Sequence, residues 1–325
     1  MKTFEIATKK SKRKQFFKTV GLSIVGLLLI VGATLKTLQI LTANNAERIY
    51  NYHELISKVA YPNIEYNTYY YRATGLFTGI VHADRSKDLA GIPVAFGSYD
   101  HPYDWMGTYW DFAQDGISYK GDTAYDRQTW TKIPSLFNVK GHKQSQSPTN
   151  EVSLLKEMPN QLVEVAITFD KPYSYAELKN MLPTGLKKNW LWIGTQSKRD
   201  TTDFRLDQLF GMQPDGLKAF TPEQDSELPE EERNYNALTP MKELSKEFQD
   251  SWGDYDLSTD IKTFLDKFGD TDFTKQEEID KLEFAGVILT GRAEDFAQLE
   301  GKDWIFAFSI GASLPMQPYY HLDIE

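Results

Sequence analysis

The densest group of side chains able to do chemistry lies in the segment SYDHPYDWMGTYWDFAQDG, which begins at Ser98. Its aspartates alternate with aromatic residues: Asp100, Asp104, Asp111 and Asp115 stand among Tyr99, Tyr103, Trp105, Tyr109 and Trp110. Carboxylates beside aromatic rings suit a glycan site, because rings stack on sugar faces and an acid can protonate the leaving oxygen. The segment therefore allows a cell-wall glycan-binding module or a glycosidase centred on Asp104 and Asp111. Turn aspartates that flank strands with buried rings give the same pattern, and we favour that interpretation.

Other chemical motifs are sparse. No two histidines have the i, i+4 spacing of a helical zinc site, and no nucleotide-binding or hydrolase motif is present. The stretch DKFGDTDFTKQE from Asp266 resembles a calcium loop, but it has Phe268 at position 3 and Thr271 where such a loop needs glycine. We therefore expect no catalytic residues, no cofactor and no metal, and we do not expect an enzyme. The histidines are His53, His82, His101, His142 and His321.

The composition points to a folded chain in a compartment with little disulfide chemistry. The chain has 325 residues, of which 41% are hydrophobic, and it contains no cysteine. Disulfides, thiolate metal sites and a cysteine nucleophile are thereby excluded. An exported chain without cysteine fits the envelope of a Gram-positive bacterium. The formal net charge of −10 argues against a nucleic-acid partner.

One apolar run near the start has the length of a membrane-spanning helix. From Phe16 the sequence is FFKTVGLSIVGLLLIVGATL, and roughly twenty helical residues cross a hydrocarbon core of about 30 Å. We predict a transmembrane helix over residues 19–40. The apolar region of a cleaved signal peptide, the alternative, is usually only about 7 to 15 residues long.

Charge predicts how this helix is oriented. Residues 1–18 contain seven lysines and arginines and one glutamate. By the positive-inside rule this basic tail lies in the cytoplasm, and the C-terminal part of the chain lies outside the cell membrane. The predicted localisation is thus single-pass in the cell membrane.

The exported part begins with a helix and continues with strands. Residues at helical spacing predict a short stalk helix between about Asn44 and Tyr61, ended by Pro62. From Tyr66 to about Trp130, short β-prone runs interrupted by Gly, Pro and Asp predict an antiparallel module. A Gly-, Ser- and Pro-containing stretch at 140–150 indicates a linker. The stalk helix and this β-rich module would occupy residues 41–150.

The second exported region, residues 151–325, contains an internal repeat. The segments VEVAITFDKPYSYAELK from Val163 and FAGVILTGRAEDFAQLE from Phe284 align without gaps over seventeen residues. Each reads as an apolar strand, a polar turn and a helix, and each is followed by a second apolar strand. A capping box is predicted to open each helix, Ser174 with Glu177 in the first copy and Asp295 with Gln298 in the second.

Two strand–helix–strand units most naturally form a ferredoxin-like split βαβ module, with helices on one face of an antiparallel sheet. Between the halves, residues of about 199–281 include the helical patterns PMKELSKEFQDSW and DIKTFLDKF, so we expect a helical insertion there. The predicted fold class is α+β.

At these residues the chain resembles the sigma factor regulator family, the membrane-anchored regulators of extracytoplasmic-function sigma factors in Gram-positive bacteria. The resemblance lies in YPNI after the stalk, VEVAITFDKPYSYAELKNML, LWIG and VILTGRAEDFAQL. It covers the N-terminal and C-terminal regulator regions. It implies an extracytoplasmic domain coupled through one membrane helix to transcription.

The resemblance implies a protein partner, either a sigma factor or an anti-sigma factor. Family members that act directly as anti-sigma factors have a long cytoplasmic helical domain, and about eighteen residues precede the apolar run here. A tail of this size is smaller than a usual stable interface of about 20 to 30 residues a side. The tail is thus small for direct sequestration of a sigma factor. We expect either an anti-sigma factor or a co-component that binds a longer anti-sigma partner.

Overall fold

The computed structural model describes most of the chain. It covers residues 2–107, 116–140, 146–196, 198, 200–203, 205–221, 235–251 and 256–324, with the backbone alone at 2–8, 203, 248–251 and 256–258.

One helix dominates the N-terminal part. Helix α1 runs without interruption over Lys2–Val59, a length of roughly 87 Å at about 1.5 Å per residue. Its first half exposes large apolar side chains, and it is long and apolar enough to cross a membrane. From Ala46 onward one side is buried in the folded part of the chain. The segment predicted as a stalk is therefore helical, but it is the last part of α1 and belongs to the protein core.

The described residues also contain eleven strands and four further α-helices. In chain order these are β1 (Glu65–Ala73), β2 (Thr78–Leu89), β3 (Ile92–Asp104), β4 (Ile117–Lys120), β5 (Thr123–Asp126), β6 (Lys132–Ile133), β7 (Gln161–Ser174), α2 (Tyr175–Met181), β8 (Lys187–Trp192), β9 (Gly211–Met212), α3 (Thr239–Ser251), α4 (Asp256–Phe268), α5 (Gln276–Ile279), β10 (Glu283–Arg292) and β11 (Ile305–Pro315).

The first sheet is an antiparallel meander in the order β1-β2-β3. Strand β3 alternates along its length: Tyr99, His101 and Tyr103 are buried, whereas Asp100 is exposed. The buried face packs against α1, as the period of two along a half-buried strand requires. A separate small sheet has the order β4-β5-β6.

The second sheet holds the internal repeat. Its order is β11-β7-β10-β8-β9, and every neighbouring pair is antiparallel. The first strands of the two repeat copies, β7 and β10, therefore lie side by side at its centre. Strand β9, from the insertion between the copies, adds an edge strand that the sequence pattern did not reveal.

Each face of the second sheet is covered. Apolar residues of β7, β10 and β11 pack against α2, α4 and a 3₁₀ helix over Ala293–Leu299 in one large cluster. A smaller cluster on the opposite face contains Leu136, Ala166 and Ile288 with two tryptophans of β8. Helices α3 and α4 form at the helical patterns predicted for the insertion.

The two repeat copies begin their helices differently. In the first copy Ser174 Oγ accepts from the Glu177 N–H at 3.3 Å, and the Glu177 carboxylate accepts from the Ser174 N–H at 2.8 Å. In the second copy the helix is 3₁₀ and starts at Ala293, so Asp295 lies inside its first turn and caps nothing. The predicted capping box is confirmed at Ser174 and wrong at Asp295.

This difference predicts unequal effects of alanine substitution. Ser174→Ala is expected to lower the free energy of unfolding by about 1 kcal/mol, because the N–H of Glu177 loses its acceptor, Ser174 Oγ. Asp295→Ala is the matched control and is expected to change it by less than about 0.5 kcal/mol. Denaturant unfolding of the full-length protein in detergent micelles measures both, and equal losses would contradict the assignment.

Candidate functional site

A buried ion pair joins the two sheets. Lys87 on β2 and Glu164 on β7 are 1% and 0% exposed, and Lys87 Nζ lies 2.7 and 2.9 Å from the two carboxylate oxygens. The same carboxylate accepts from Asn63 Nδ2 at 2.8 Å and from the Ala312 N–H at 3.1 Å. A buried charge is tolerated only when it is paired and hydrogen-bonded in this way. This arrangement locks the end of β2 onto the second sheet.

Asn63 connects that pair to the end of α1. The chain turns after Val59 through Tyr61 and Asn63, which have left-handed φ angles of 62° and 51°. Asn63 Nδ2 also donates to the Asp88 carbonyl at 3.0 Å, and Asn63 Oδ1 accepts from Asn189 at 3.0 Å. Asparagine tolerates the left-handed region better than most residues. We call Asn63, Lys87, Glu164 and Asn189 the polar junction.

A second cluster lies midway along the packing of α1 on the first sheet. His53 of α1 and His101 of β3 are buried and share a hydrogen bond of 2.8 Å between His53 Nε2 and His101 Nδ1. His53 Nδ1 has no hydrogen-bond partner among the residues that the structure describes. The pair is a polar contact between α1 and the first sheet, beside the hydrogen bond from Tyr69 Oη to the Tyr50 carbonyl.

Both histidines are held neutral by their surroundings. Burial lowers the pKa of His53 well below its ordinary value, and His101 and the Arg85 guanidinium lower it further. Burial, helped by the charge of Arg205, lowers the pKa of His101 to about 4. The interface is therefore built for two uncharged imidazoles at neutral pH.

Arg85 provides the permanent charge of this cluster. It is buried on β2, and Arg85 Nε donates to the Gly97 carbonyl at 2.7 Å. Its guanidinium lies 5.2 to 6.0 Å from four ring centres, those of Tyr61, Tyr66, Phe96 and Tyr99. Faces of aromatic rings attract a cation at such distances, so Arg85 ties the turn after α1 to the first sheet.

A groove of about 440 Å³ opens beside this turn. Lys58, Glu65 and Tyr66 line one side of it, and Asp215 and Tyr235 line the other. Lys58 Nζ lies 5.4 Å from the Tyr235 ring centre. Charges of both signs and aromatic rings give this surface a mixed character, without an arrangement specific for one ligand.

Of the two aspartates at the centre of the glycan hypothesis, Asp104 and Asp111, the structure describes Asp104. Asp104 is buried, and its Oδ1 accepts from the N–H groups of Met106 and Gly107 at 2.7 and 3.1 Å. This is the turn role that the sequence also allowed. Asp100 is exposed and bonds His82 Nδ1 at 2.6 Å. Asp111, Asp115, Tyr109 and Trp110 lie outside the described residues.

The remaining candidate residues are also dispersed. His82 forms hydrogen bonds to the carboxylates of Asp100 and Asp84, and the bond to Asp100 raises the pKa of His82. His321 is exposed, and His142 lies outside the described residues. In the calcium-like stretch, Asp272 pairs with Lys275 at 2.8 Å. Within the described ranges no group of three or more His, Cys, Asp or Glu side chains is placed to hold a metal ion.

Sequence reasoning missed the polar junction and the histidine pair. One signal was available, because Glu164 interrupts the apolar strand LVEVAITF, and a charge at a strand centre needs a buried partner. Its partner Lys87 lies 77 positions away, and no local pattern connects the two.

The geometry of the site suits mechanical coupling. Helix α1, the turn through Asn63, the end of β2 and the second sheet are linked by buried hydrogen bonds, so a displacement of one element is resisted by the others. Coupling between distant sites travels through such packed and hydrogen-bonded networks.

Comparison with known proteins relates this architecture to a family. The family model for the N-terminal part of sigma factor regulators matches residues 6–94, and the model for their C-terminal part matches residues 155–312. No curated protein and no solved structure matches the chain. The polar junction connects the two matched regions, with Asn63 and Lys87 in the first and Glu164 in the second. Because the two matches together cover most of the chain, it belongs to the sigma factor regulator family and has a role in sigma factor regulation.

Proposed function

We propose that the protein is a membrane-anchored regulator in an extracytoplasmic-function sigma factor pathway and acts through protein–protein contacts. It works either as an anti-sigma factor or as a co-component that binds a longer anti-sigma partner. The basic tail lies in the cytoplasm, and the sheets lie outside the membrane.

The single observation that carries this proposal is the continuity of α1. Its apolar, exposed part and its buried part are one helix. A change in the exported sheets therefore reaches the tail through a rigid rod rather than through a flexible linker. The family matches, which extend over this helix and the second sheet, support the regulatory role.

The second sheet, with α2 and the 3₁₀ helix over Ala293–Leu299, would be the sensing or partner-binding module. We propose that it is a ferredoxin-like split βαβ sandwich, extended at one edge by β9. The order β11-β7-β10-β8, the antiparallel pairing and the repeated strand–helix–strand pattern support this.

Site-specific photo-crosslinking in intact cells tests the regulatory role. A photo-reactive amino acid at Lys12, an exposed position of the tail, is expected to capture a sigma factor or a longer anti-sigma factor. The same amino acid at Tyr119, which is exposed in β4, reports partners of the exported part. These two probes separate contacts on opposite sides of the membrane.

The outcome decides between the two roles and can reject both. A sigma factor captured at Lys12 would indicate direct binding, whereas an anti-sigma factor captured at either position would indicate a co-component. If neither type of protein is recovered under inducing or resting conditions, the proposal is wrong.

A further inference from the structure

One end of the first sheet exposes large apolar side chains. The loop from β1 to β2 carries Leu76 and Phe77, and the end of β3 is followed by Trp105 and Met106. Leu76 is 79% exposed, Met106 is 67% exposed and Trp105 is 41% exposed. The Trp105 N–H donates to the Phe77 carbonyl at 3.2 Å, which holds the two segments together. We call these four residues the apolar tip.

Two polar side chains of α1 contact the apolar tip and the residue beside it. Asn45 Nδ2 donates to the Asp104 carbonyl at 2.8 Å. Thr42 Oγ1, whose hydroxyl donates to the Leu38 carbonyl at 2.8 Å, lies 3.4 Å from the Phe77 carbonyl oxygen. The exposed apolar surface of α1 ends at Ile40 and Leu41, directly before these contacts. The apolar tip therefore lies beside the helix at the point where its apolar surface ends.

The level of this contact corresponds to the headgroup layer of a bilayer. Thr42 lies about 3 Å along the helix beyond Ile40, the last residue of the predicted membrane span, at about 1.5 Å per residue. The polar layer on each side of a bilayer is roughly 5 to 8 Å thick. Side chains held at Thr42 are thus at the depth where tryptophan is enriched in membrane proteins.

Among the described residues, the charged group adjacent to Trp105 in the chain does not oppose this placement. Asp104 is buried, and its carboxylate accepts from the N–H groups of Met106 and Gly107. These two hydrogen bonds stabilise the carboxylate, and the headgroup layer, unlike the hydrocarbon core, contains water. Leu76 and Met106 are both mostly exposed, and exposed apolar side chains that lie together mark protein or membrane interaction sites.

We propose that the apolar tip inserts into the outer headgroup layer of the membrane beside α1. This inference rests on the proposed membrane anchoring and goes beyond it, because it gives the exported part a second attachment to the bilayer. Two attachments fix the orientation of the first sheet relative to the membrane. The lengthwise packing of β2 on α1 then sets the distance of the polar junction from the lipid surface.

Fluorescence quenching in lipid nanodiscs tests the insertion. The chain has no cysteine, so a single environment-sensitive dye can be attached to full-length Leu76→Cys or Met106→Cys protein in nanodiscs of phosphatidylcholine and phosphatidylglycerol. A dye at either position is expected to shift its emission to the blue and to be quenched several-fold more by lipid-attached nitroxide than the control. The control is Tyr319→Cys, which is 71% exposed. Its segment lies at the opposite end of β2, since the Asp323 N–H donates to the Ala90 carbonyl.

An Ile30→Cys dye separates this inference from the anchoring itself. If the dye at Ile30 is quenched by lipid but those at Leu76 and Met106 respond like Tyr319, the helix is embedded and the insertion is refuted. If the dye at Ile30 is also unquenched, the proposed anchoring fails, and the insertion fails with it. A blue shift at Leu76 without lipid quenching would identify a protein contact, such as a second copy of the chain, and would also overturn the insertion.

Discussion

Lys87→Met is expected to lower the free energy of unfolding by about 3 to 5 kcal/mol, because it leaves the buried Glu164 carboxylate without its counter-charge. The hydrogen bonds from Asn63 and Ala312 remain, but two neutral donors do not replace an ammonium group. Glu164→Gln is expected to cost a similar amount, since it leaves the ammonium group buried among uncharged neighbours. Denaturant unfolding of the full-length protein in detergent micelles measures both losses.

A double variant and a surface control make this result specific. The variant with Lys87→Met and Glu164→Gln together removes both charges, and its loss is expected to be well below the sum of the single losses. Lys156→Met removes an exposed pair with Glu300 and is expected to cost less than about 1 kcal/mol. The junction would be unimportant for stability if Lys87→Met cost no more than Lys156→Met.

Acid is expected to weaken the packing of α1 on the first sheet. The folded-state pKa values of His53 and His101 lie below the ordinary value of 6.5, so the unfolded chain binds more protons as pH falls. The free energy of unfolding therefore decreases below pH 6.5. For His101, with a folded-state pKa of about 4, the full loss is about 3 kcal/mol. A proton on His53 would also be repelled by Arg85 and would find no acceptor at Nδ1 among the described residues.

Unfolding measured from pH 8 down to about pH 3 tests this expectation, because the loss grows from the ordinary pKa of 6.5 down through the folded-state pKa of His101, about 4. The variant with His53→Gln and His101→Asn keeps atoms at the positions of the shared hydrogen bond and removes both titrations, so its stability should vary less over this range. His82→Gln is the control, because protonation of His82 stabilises the folded state, whereas protonation of His53 and His101 destabilises it. The raised pKa of His82 means that its contribution is present below its unfolded pKa and is lost as pH rises through the folded value. An unchanged acid slope in the double variant would show that other groups are responsible.

The pattern of apolar residues was sufficient to predict most elements of the second sheet. In the first repeat copy the apolar strand is followed by Ser174, a capping residue, and by Glu177 at capping-box spacing. Both the strand and the helix form there. The second copy departs from this pattern at its helix, because Arg292 ends the strand in an extended conformation and the next residues turn as a 3₁₀ helix. Local capping signals could not distinguish these outcomes.

Helix α1 shows a similar limit. Its apolar run and its later helical spacing were both visible, and they were predicted as two helices, a transmembrane helix over residues 19–40 and a stalk helix from about Asn44. In the structure Thr42 and Asn45 lie within one helix. The Thr42 hydroxyl donates to the Leu38 carbonyl of that helix, and Asn45 Nδ2 donates to the Asp104 carbonyl of β3. A contact with a distant segment thus accompanies the continuous helix.

The sequence by itself determined the apolar helix, the basic tail, the repeat and the resemblance to a family, because each is a pattern of residue types that does not depend on which segments meet in space. Only the tertiary structure brought Lys87 to Glu164, His53 to His101, and Leu76 and Trp105 to the end of the apolar helix. These contacts join segments tens of residues apart, and their pairing depends on how the sheets pack on α1. Periodicity reports which side of an element is buried, whereas packing decides which residue it meets.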